Sequence, residues 1–468
     1  MSIASKKQIY PHTHFGYKPE GLKFKKSKVS VGVYLDNQVV KVRDTTFRRK
    51  VVKRSRSNFY YLDNAASTPI DPRVKQEIKI TTDLYGNPSS FNNIGREARS
   101  KLEECRLNVA RFIGSKSEEV IFTSSGSEAN NLAIQGIARN FQFSPPAGRA
   151  GISNFQKKSK YQNSKPHIIT TQIEHPSVLE PIRQLEKFGF DITYLSVDKD
   201  GFVNLDEFKK FLRPETFLVS IIYANNEIGT IQPIIKISKI IRNFKATSNK
   251  QQATSSPFFH IDACQAAGYL EMNVNNLGVD LMTFNGSKIY GPKGVGVLYK
   301  KREVNIQPVI HGGDQEYGLR AGTENLPAVA GLAKSISLID KKEGEKTSAL
   351  RDYFIKNVQS SVLNIVVNGA LGNLRLANNI NISIPDLDSE NLLLELDKYG
   401  IHASAGSACT AHSVEPSHVL KAIGVKNEYL SGALRFSLGR QTTKKDIDYV
   451  LKVFPKITAN LKQRYNKK

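Results

Sequence analysis

The chain has 468 residues, 40% of them hydrophobic, three cysteines and a formal net charge of +24. That length predicts two domains or one large domain with a smaller one. No apolar run reaches the roughly 18 residues of a membrane span, no apolar signal segment follows Met1, and Cys105, Cys264 and Cys409 are too few for a disulfide framework.

The charge is uneven. Residues 1–57 carry 15 Lys or Arg against three acids, a net of +12, and residues 139–166 carry six bases and no acid. The rest is mildly basic. The basic stretches read either as solvated extensions, partly disordered, or as a contact for an anionic surface such as RNA. The alternation in "VSVGVYLDNQVVKV" predicts some strand over 30–42. Sparse cysteine predicts a reducing compartment, the cytoplasm, with the mitochondrion as the alternative if residues 1–57 include a transit peptide.

From Tyr60 onward β-rich runs alternate with helical patterns. The runs are "EEVIFTSS", "PHIITTQIEH", "FDITYLSV", "TFLVSIIYANN", "PFFHIDACQ", "VDLMTFNGSK" and "GVGVLYKK". Helical patterns include "NNLAIQGIARNF", "SVLEPIRQLEKFG" and "LDEFKKFL". This predicts an α/β fold with a mainly parallel sheet between helices over 58–325. Insertions are expected near 141–165 and 246–258. A long helical stretch begins at Leu326, and "NIVVNG", "NNINISI" and "ALRFSLG" follow as strands. Residues 326–468 read as a smaller α+β domain.

Polar clusters sit where strands end, which is where such sheets collect ligands. "TSSGSEANN" opens a helix with small residues, either as a phosphate cradle at Gly126 and Ser127 or as an ordinary cap by Ser125 or Ser127. Asp262 closes an apolar strand and needs a partner there: a protonated heterocycle nitrogen, or a helix cap or ion pair. Lys288 precedes a glycine-rich turn. It reads either as a surface lysine or as an amine that a desolvated pocket tunes for covalent chemistry. His175 at another strand end reads as a structural histidine, or as a ring that stacks or moves a proton. Cys105 and Cys264 read as packing. Cys409, His412 and His418 are too few for a zinc site, so no metal is expected.

Taken together and in order, these clusters resemble the NifS/IscS-type cysteine desulfurases, class V aminotransferases of fold-type I that use pyridoxal 5'-phosphate (PLP). The resemblance rests on "YLDNAASTPIDPRV", "GNPSSFNNIGREAR", "SSGSEANNLAIQG", "IEHPSVLEP", "ANNEIGTIQPI", "HIDACQAAG", "GSKIYGPKGVGVLY", "HGGDQEYGLRAGTEN", "SAGSACTAHSVEPSHVLKAIG" and "LRFSLGR", which run from about Tyr60 to the C-terminus. It implies a large domain with a mainly parallel seven-stranded sheet and a smaller C-terminal domain carrying the cysteine.

The resemblance also implies roles. Lys288 would hold PLP covalently, Asp262 would pair with its ring nitrogen, and His175 would stack on the ring and shuttle protons. Asn226 and Gln265 would contact the phenolic oxygen. Gly126, Ser127 and Ser287, with Asn285 beside them, would complete the cofactor site. Thr323 would reach the phosphate across a homodimer interface. Asn64 and Arg435 would bind the carboxylate of the substrate, L-cysteine. Cys409 would be the nucleophile that becomes a persulfide, passed to iron–sulfur cluster assembly or tRNA-thiolation proteins. The segment from Ser404 to Pro416 resembles the extended-loop subgroup.

Two departures stand out. Ser287 occupies a position where the family usually has histidine, so the phosphate loses a cation. The terminus "LKQRYNKK" lacks the apolar tail with which some relatives dock a scaffold partner. The alternatives are a related PLP-dependent selenocysteine lyase or aminotransferase, or a scaffold or RNA-associated protein that uses its basic tail.

Overall fold

The computed structural model describes residues 32–35, 38–41, 59–141, 165–248, 257–406 and 416–465. Contacts divide the chain into two units, 1–58 and 59–468. In the first unit, β1 (Gly32–Leu35) and β2 (Gln38–Lys41) pair antiparallel, Gly32 opposite Lys41 and Leu35 opposite Gln38. The strand pattern expected over 30–42 is therefore a hairpin. Most of the basic residues of 1–57 and 139–166 lie outside the described residues.

The second unit opens with β3 (Tyr60–Tyr61), α1 (Pro72–Thr82), α2 (Asn93–Ile113), β4 (Val120–Thr123) and α3 (Gly126–Ala138). It continues through β5 (His167–Thr171), α4 (Pro176–Lys187), β6 (Asp191–Leu195), α5 (Leu205–Phe211), β7 (Thr216–Ile222) and α6 (Ile234–Ser248). Next come β8 (Phe258–Asp262), α7 (Val274–Leu277), β9 (Leu281–Asn285), β10 (Gly296–Lys300), α8 (Leu326–Ile336) and α9 (Lys341–Ser361). Seven of these strands form one sheet in the order β4-β10-β9-β8-β7-β5-β6. Only β10 runs against its neighbours β4 and β9; the pairs β9–β8, β8–β7, β7–β5 and β5–β6 are parallel.

Helices cover both faces, so the strands are buried on both sides and read as near-continuous apolar runs. Alternation still sorts their side chains. Val297 and Tyr299 of β10 join the core under α2, α6 and α8, whereas Leu298 joins the core under α3 and α4. Val120 and Phe122 split from Ile121 in the same way. Each fully buried Leu, Ile or Phe contributes roughly 1.5–3 kcal/mol. His260, inside the sheet, bridges Ser220 at 2.8 Å and Thr283 at 3.2 Å, and burial pushes its pKa down to about 4.

A second core gathers β11 (Val366–Val367), β12 (Asn379–Ser383), α10 (Ser389–Lys398), β13 (Ile401–His402), β14 (Ala433–Ser437) and α13 (Lys444–Tyr465) around an antiparallel sheet β11-β12-β14, while α11 (His418–Ala422) and α12 (Asn427–Leu430) pack in a smaller cluster with Ile173, Ile222 and Ile228. Phe354, Ile380, Ile382, Leu434, Phe436 and Phe454 are its centre. The helical stretch after Leu326 is two helices. Asp340 starts α9 by accepting the Lys342 N–H at 2.9 Å, and α8 packs into the first core while Phe354 and Val358 of α9 pack into the second. Tyr60 and Leu62 also join the second core, with β3 parallel to β13.

No helix among the described residues is long and apolar enough to cross a membrane.

Candidate active site

Because β4, β5, β7, β8 and β9 run the same way, their C-terminal ends share one edge of the sheet. Thr123, Thr171, Ile222, Asp262 and Asn285 end those strands, and the predicted site residues follow them directly.

The 3-10 turn Gly286–Lys288 leaves β9 and carries Lys288 inward. Its Nζ donates to the carbonyl oxygens of Ala65 at 2.8 Å and Ala66 at 2.6 Å. Gln265 Nε2 donates to the same Ala65 carbonyl at 2.9 Å. Lys288 and Gln265, 23 positions apart in the chain, therefore meet on the segment just after β3.

Asp262 is buried, and each of its oxygens accepts one hydrogen bond. Its Oδ1 accepts the Cys264 N–H at 2.9 Å and its Oδ2 accepts the Asn130 amide at 2.8 Å. Asn130 also donates to Ser177 Oγ at 2.8 Å. Ser177 turns towards His175: its backbone N–H donates to Nδ1 at 3.1 Å and its hydroxyl lies 2.8 Å from the same nitrogen. His175 is thus the N-cap of α4. A backbone N–H can only donate, so Nδ1 accepts and a neutral His175 carries its proton on Nε2. One chain of hydrogen bonds joins His175 to Asp262.

Gly126 begins α3, which Ser125 caps by accepting the Glu128 N–H at 3.2 Å. A Cβ on Gly126 would lie 2.6 Å from Cys264 Sγ and 3.0 Å from Asn285 Nδ2. Asn285 donates to that sulfur at 3.6 Å and accepts the Ser287 hydroxyl at 3.2 Å. Gly126, Asn285 and Ser287 are therefore packed together beside a helix N-terminus, which favours an anion. Ser127 is exposed and shares with His175 an open cleft of about 450 Å³ between α3 and α4.

Arg435 of β14 is 1% exposed. Its Nη2 pairs with Asp63 at 2.9 Å and its Nη1 donates to the Asn226 carbonyl at 3.0 Å. Its Nε has no hydrogen-bond partner among the described residues. Asn64 has both ends of its amide engaged: Nδ2 donates to Ser437 O at 2.9 Å, and Oδ1 accepts from Gln441 at 3.2 Å. It ties the segment after β3 to β14 beside Arg435.

Thr323 stands apart from this cluster. It is exposed, in a cleft of about 140 Å³ also lined by Ser124, Gly294 and Arg320. Cys409 and His412 lie outside the described residues. Burial pushes the other two thiols up, Cys105 to about 12 and Cys264 well above its ordinary value.

Asn130, Asp63, Glu174 and Glu227 escaped the sequence reading as site residues. Glu174 and Asn130 are wholly buried, Glu227 is nearly so, and Asp63 holds Arg435. Their only sequence signal is their place within "YLDNAA", "SEANN", "IEHPS" and "ANNEIG", next to residues that were singled out.

The aminotransferase class-V family model matches residues 60–147 and 147–450. The cysteine desulfurase IscS of Dictyoglomus turgidum is 45% identical over 406 residues, covering 86% of this chain and 95% of that protein. A solved NifS-like protein superposes with a TM-score of 0.74 at 34% identity, over 86% of this chain and all of that one. A structure described as SspA in complex with cysteine gives 0.67 at 31% identity, over 82% of this chain and 100% of that one. The chain belongs to the aminotransferase class-V family and, within it, to the cysteine desulfurases of the NifS/IscS type.

Proposed function

We propose that the protein is a PLP-dependent cysteine desulfurase that converts L-cysteine to L-alanine and leaves the sulfur as a persulfide on Cys409. The observation that carries this reading is that Lys288 and Gln265 meet on the carbonyl of Ala65, two residues after the Asp63 that holds Arg435, while Asp262 ends β8 three residues before Gln265.

The residues present fit PLP. The start of α3 at Gly126, beside Asn285 and Ser287, is a helix N-terminus that favours a phosphate. Asp262, buried and held by Asn130 and the Cys264 N–H, suits a protonated ring nitrogen. Lys288 supplies the amine for covalent attachment. Asn226 and Gln265 would sit at the phenolic oxygen. Bound there, PLP supplies an electron sink that weakens bonds at the substrate's Cα and Cβ.

The chain's own residues do the rest. Arg435 is held by Asp63 and the Asn226 carbonyl and offers its guanidinium fork to the substrate carboxylate. Asn64 fixes the backbone on which this happens. His175, protonated on Nε2, holds a proton at the site. Cys409 takes the sulfur: the substrate Cβ–S bond breaks, an S–S bond forms on Cys409, and Cβ gains a proton. Atoms and electrons balance without an added oxidant. Burial keeps Cys105 and Cys264 as thiols, which supports Cys409 as the nucleophile.

We further propose a homodimer in which Thr323 reaches the partner subunit's cofactor phosphate, and an acceptor thiol in iron–sulfur cluster assembly or tRNA thiolation as the sulfur's destination. Lys288→Ala tests the cofactor assignment. The variant should fail to retain PLP through gel filtration and show at least a 100-fold loss of sulfide release; retention of covalent PLP would overturn the assignment.

A further inference from the structure

Both ends of the segment that carries Cys409 are rooted beside Arg435, one on its backbone and the other on Glu227, next to the Asn226 that holds it. At the first root, Ser404 and Arg435 exchange backbone hydrogen bonds at 3.0 and 2.7 Å. At the second, Ser417 donates its hydroxyl to Glu227 Oε2 at 2.6 Å, and His418 Nε2 donates to the Glu174 carbonyl at 2.9 Å. Val419 and Leu420 then pack against Ile173, Ile222 and Ile228.

Glu227 is 2% exposed. Its carboxylate also faces the first root, since a Cβ on Gly406, at φ +65°, would lie 3.1 Å from the same Oε2. Its backbone is pinned. The N–H donates to Asn225 Oδ1 at 2.8 Å, and the carbonyl accepts from Asn379 at 3.0 Å and Asn381 at 3.1 Å on β12. The preceding residue, Asn226, gives its carbonyl to Arg435. One fixed tripeptide, Asn225–Glu227, thus braces the arginine on one residue and the cysteine segment on the next. A carboxylate this buried needs a donor, and a hydroxyl bonded to a charge is among the stronger neutral donors.

We propose that Glu227 is a positioning residue. Through Ser417 it sets where the Cys409 segment returns to the sheet, and so the place from which Cys409 meets a substrate held by Arg435. This rests on the desulfurase reading above.

Ser417 also caps α11 by accepting the Leu420 N–H at 3.2 Å, so the test must separate capping from the Glu227 contact. Glycine keeps most of the capping and has no hydroxyl to donate to Glu227. The full-length PLP-loaded enzyme is compared with Ser417→Gly, Ser417→Thr and Glu227→Gln. Three quantities are read: kcat and KM for L-cysteine with a reductant, the cofactor absorbance change on adding L-cysteine, and the rate of persulfide labelling at Cys409.

Ser417→Gly should lower kcat and the labelling rate together by about tenfold, with KM and the absorbance change as in wild type. Ser417→Thr restores both the donor and the cap, and should restore the rate. Glu227→Gln, an acceptor without charge, should fall between. Wild-type labelling in Ser417→Gly would overturn the proposal, as would a loss that moves KM and the absorbance change as well. A wild-type protein that makes neither sulfide nor persulfide would instead overturn the desulfurase reading, and this proposal with it.

Discussion

Asn130 holds Asp262 with one amide hydrogen, at 2.8 Å, while the amide also reaches Ser177 at 2.8 Å. It is fully buried, and its Oδ1 has no hydrogen-bond partner among the described residues. A single side chain thus orients the carboxylate assigned to the ring nitrogen and, through Ser177, the imidazole of His175. Asn130→Asp replaces a donor with a second carboxylate against the first, and two buried carboxylates so close share one proton. PLP affinity should fall at least tenfold, read by titrating the apoprotein with PLP. An unchanged affinity would remove Asn130 from the site.

Glu174 gives the site a pH-dependent stability. Its Oε1 accepts the Thr171 hydroxyl at 2.7 Å and the Ile222 N–H at 2.8 Å, and its Oε2 has no hydrogen-bond partner among the described residues. Burial, aided by the charge of Asp262, raises its pKa from 4.5 to about 8. Folding therefore binds a proton. The stability this contributes is complete below 4.5 and is lost as pH rises through about 8. Urea midpoints of wild type should fall over that window, by at most about 1.4 kcal/mol per pH unit from this group. Glu174→Gln should flatten the decline. Parallel wild-type and variant curves would contradict the assignment.

Arg106 and Glu316 form a buried two-pronged ion pair at 2.7 and 2.9 Å, and Glu316 also accepts the Phe122 N–H at 2.8 Å. Glu316 and Tyr317 both have positive φ, 49° and 60°. The pair fastens the strained turn that leads to Thr323 against β4. Arg106→Leu alone should cost about 3–5 kcal/mol, because it leaves a buried carboxylate uncompensated. Adding Glu316→Leu should recover part of that loss in the same urea melts. Additive losses would show that the two side chains are not coupled.

The runs from β5 to β10 were legible because strands buried on both faces must be apolar and short. Asp262 and Lys288 stood out because they interrupt or follow such runs at their ends. The break at 337–340 was not legible: "SLID" continues a helical pattern, and it takes the Asp340 cap and the separate cores of α8 and α9 to divide it. Nor were the roles of Asn130 and Glu227. Asn130 meets Asp262 across 132 residues and Glu227 meets Ser417 across 190, contacts that only the folded chain creates. His175 was expected as a structural histidine or as a ring partner. As the cap of α4 it meets the first reading, and its link to Asp262 allows the second.

The central claim is tested most directly by measuring L-alanine and sulfide released from L-cysteine in the presence of PLP and a reductant, for wild type and Cys409→Ala. The account predicts equal yields of the two products in wild type, and loss of both in a Cys409→Ala protein that still retains PLP. Undiminished release of sulfide and alanine by Cys409→Ala would contradict it.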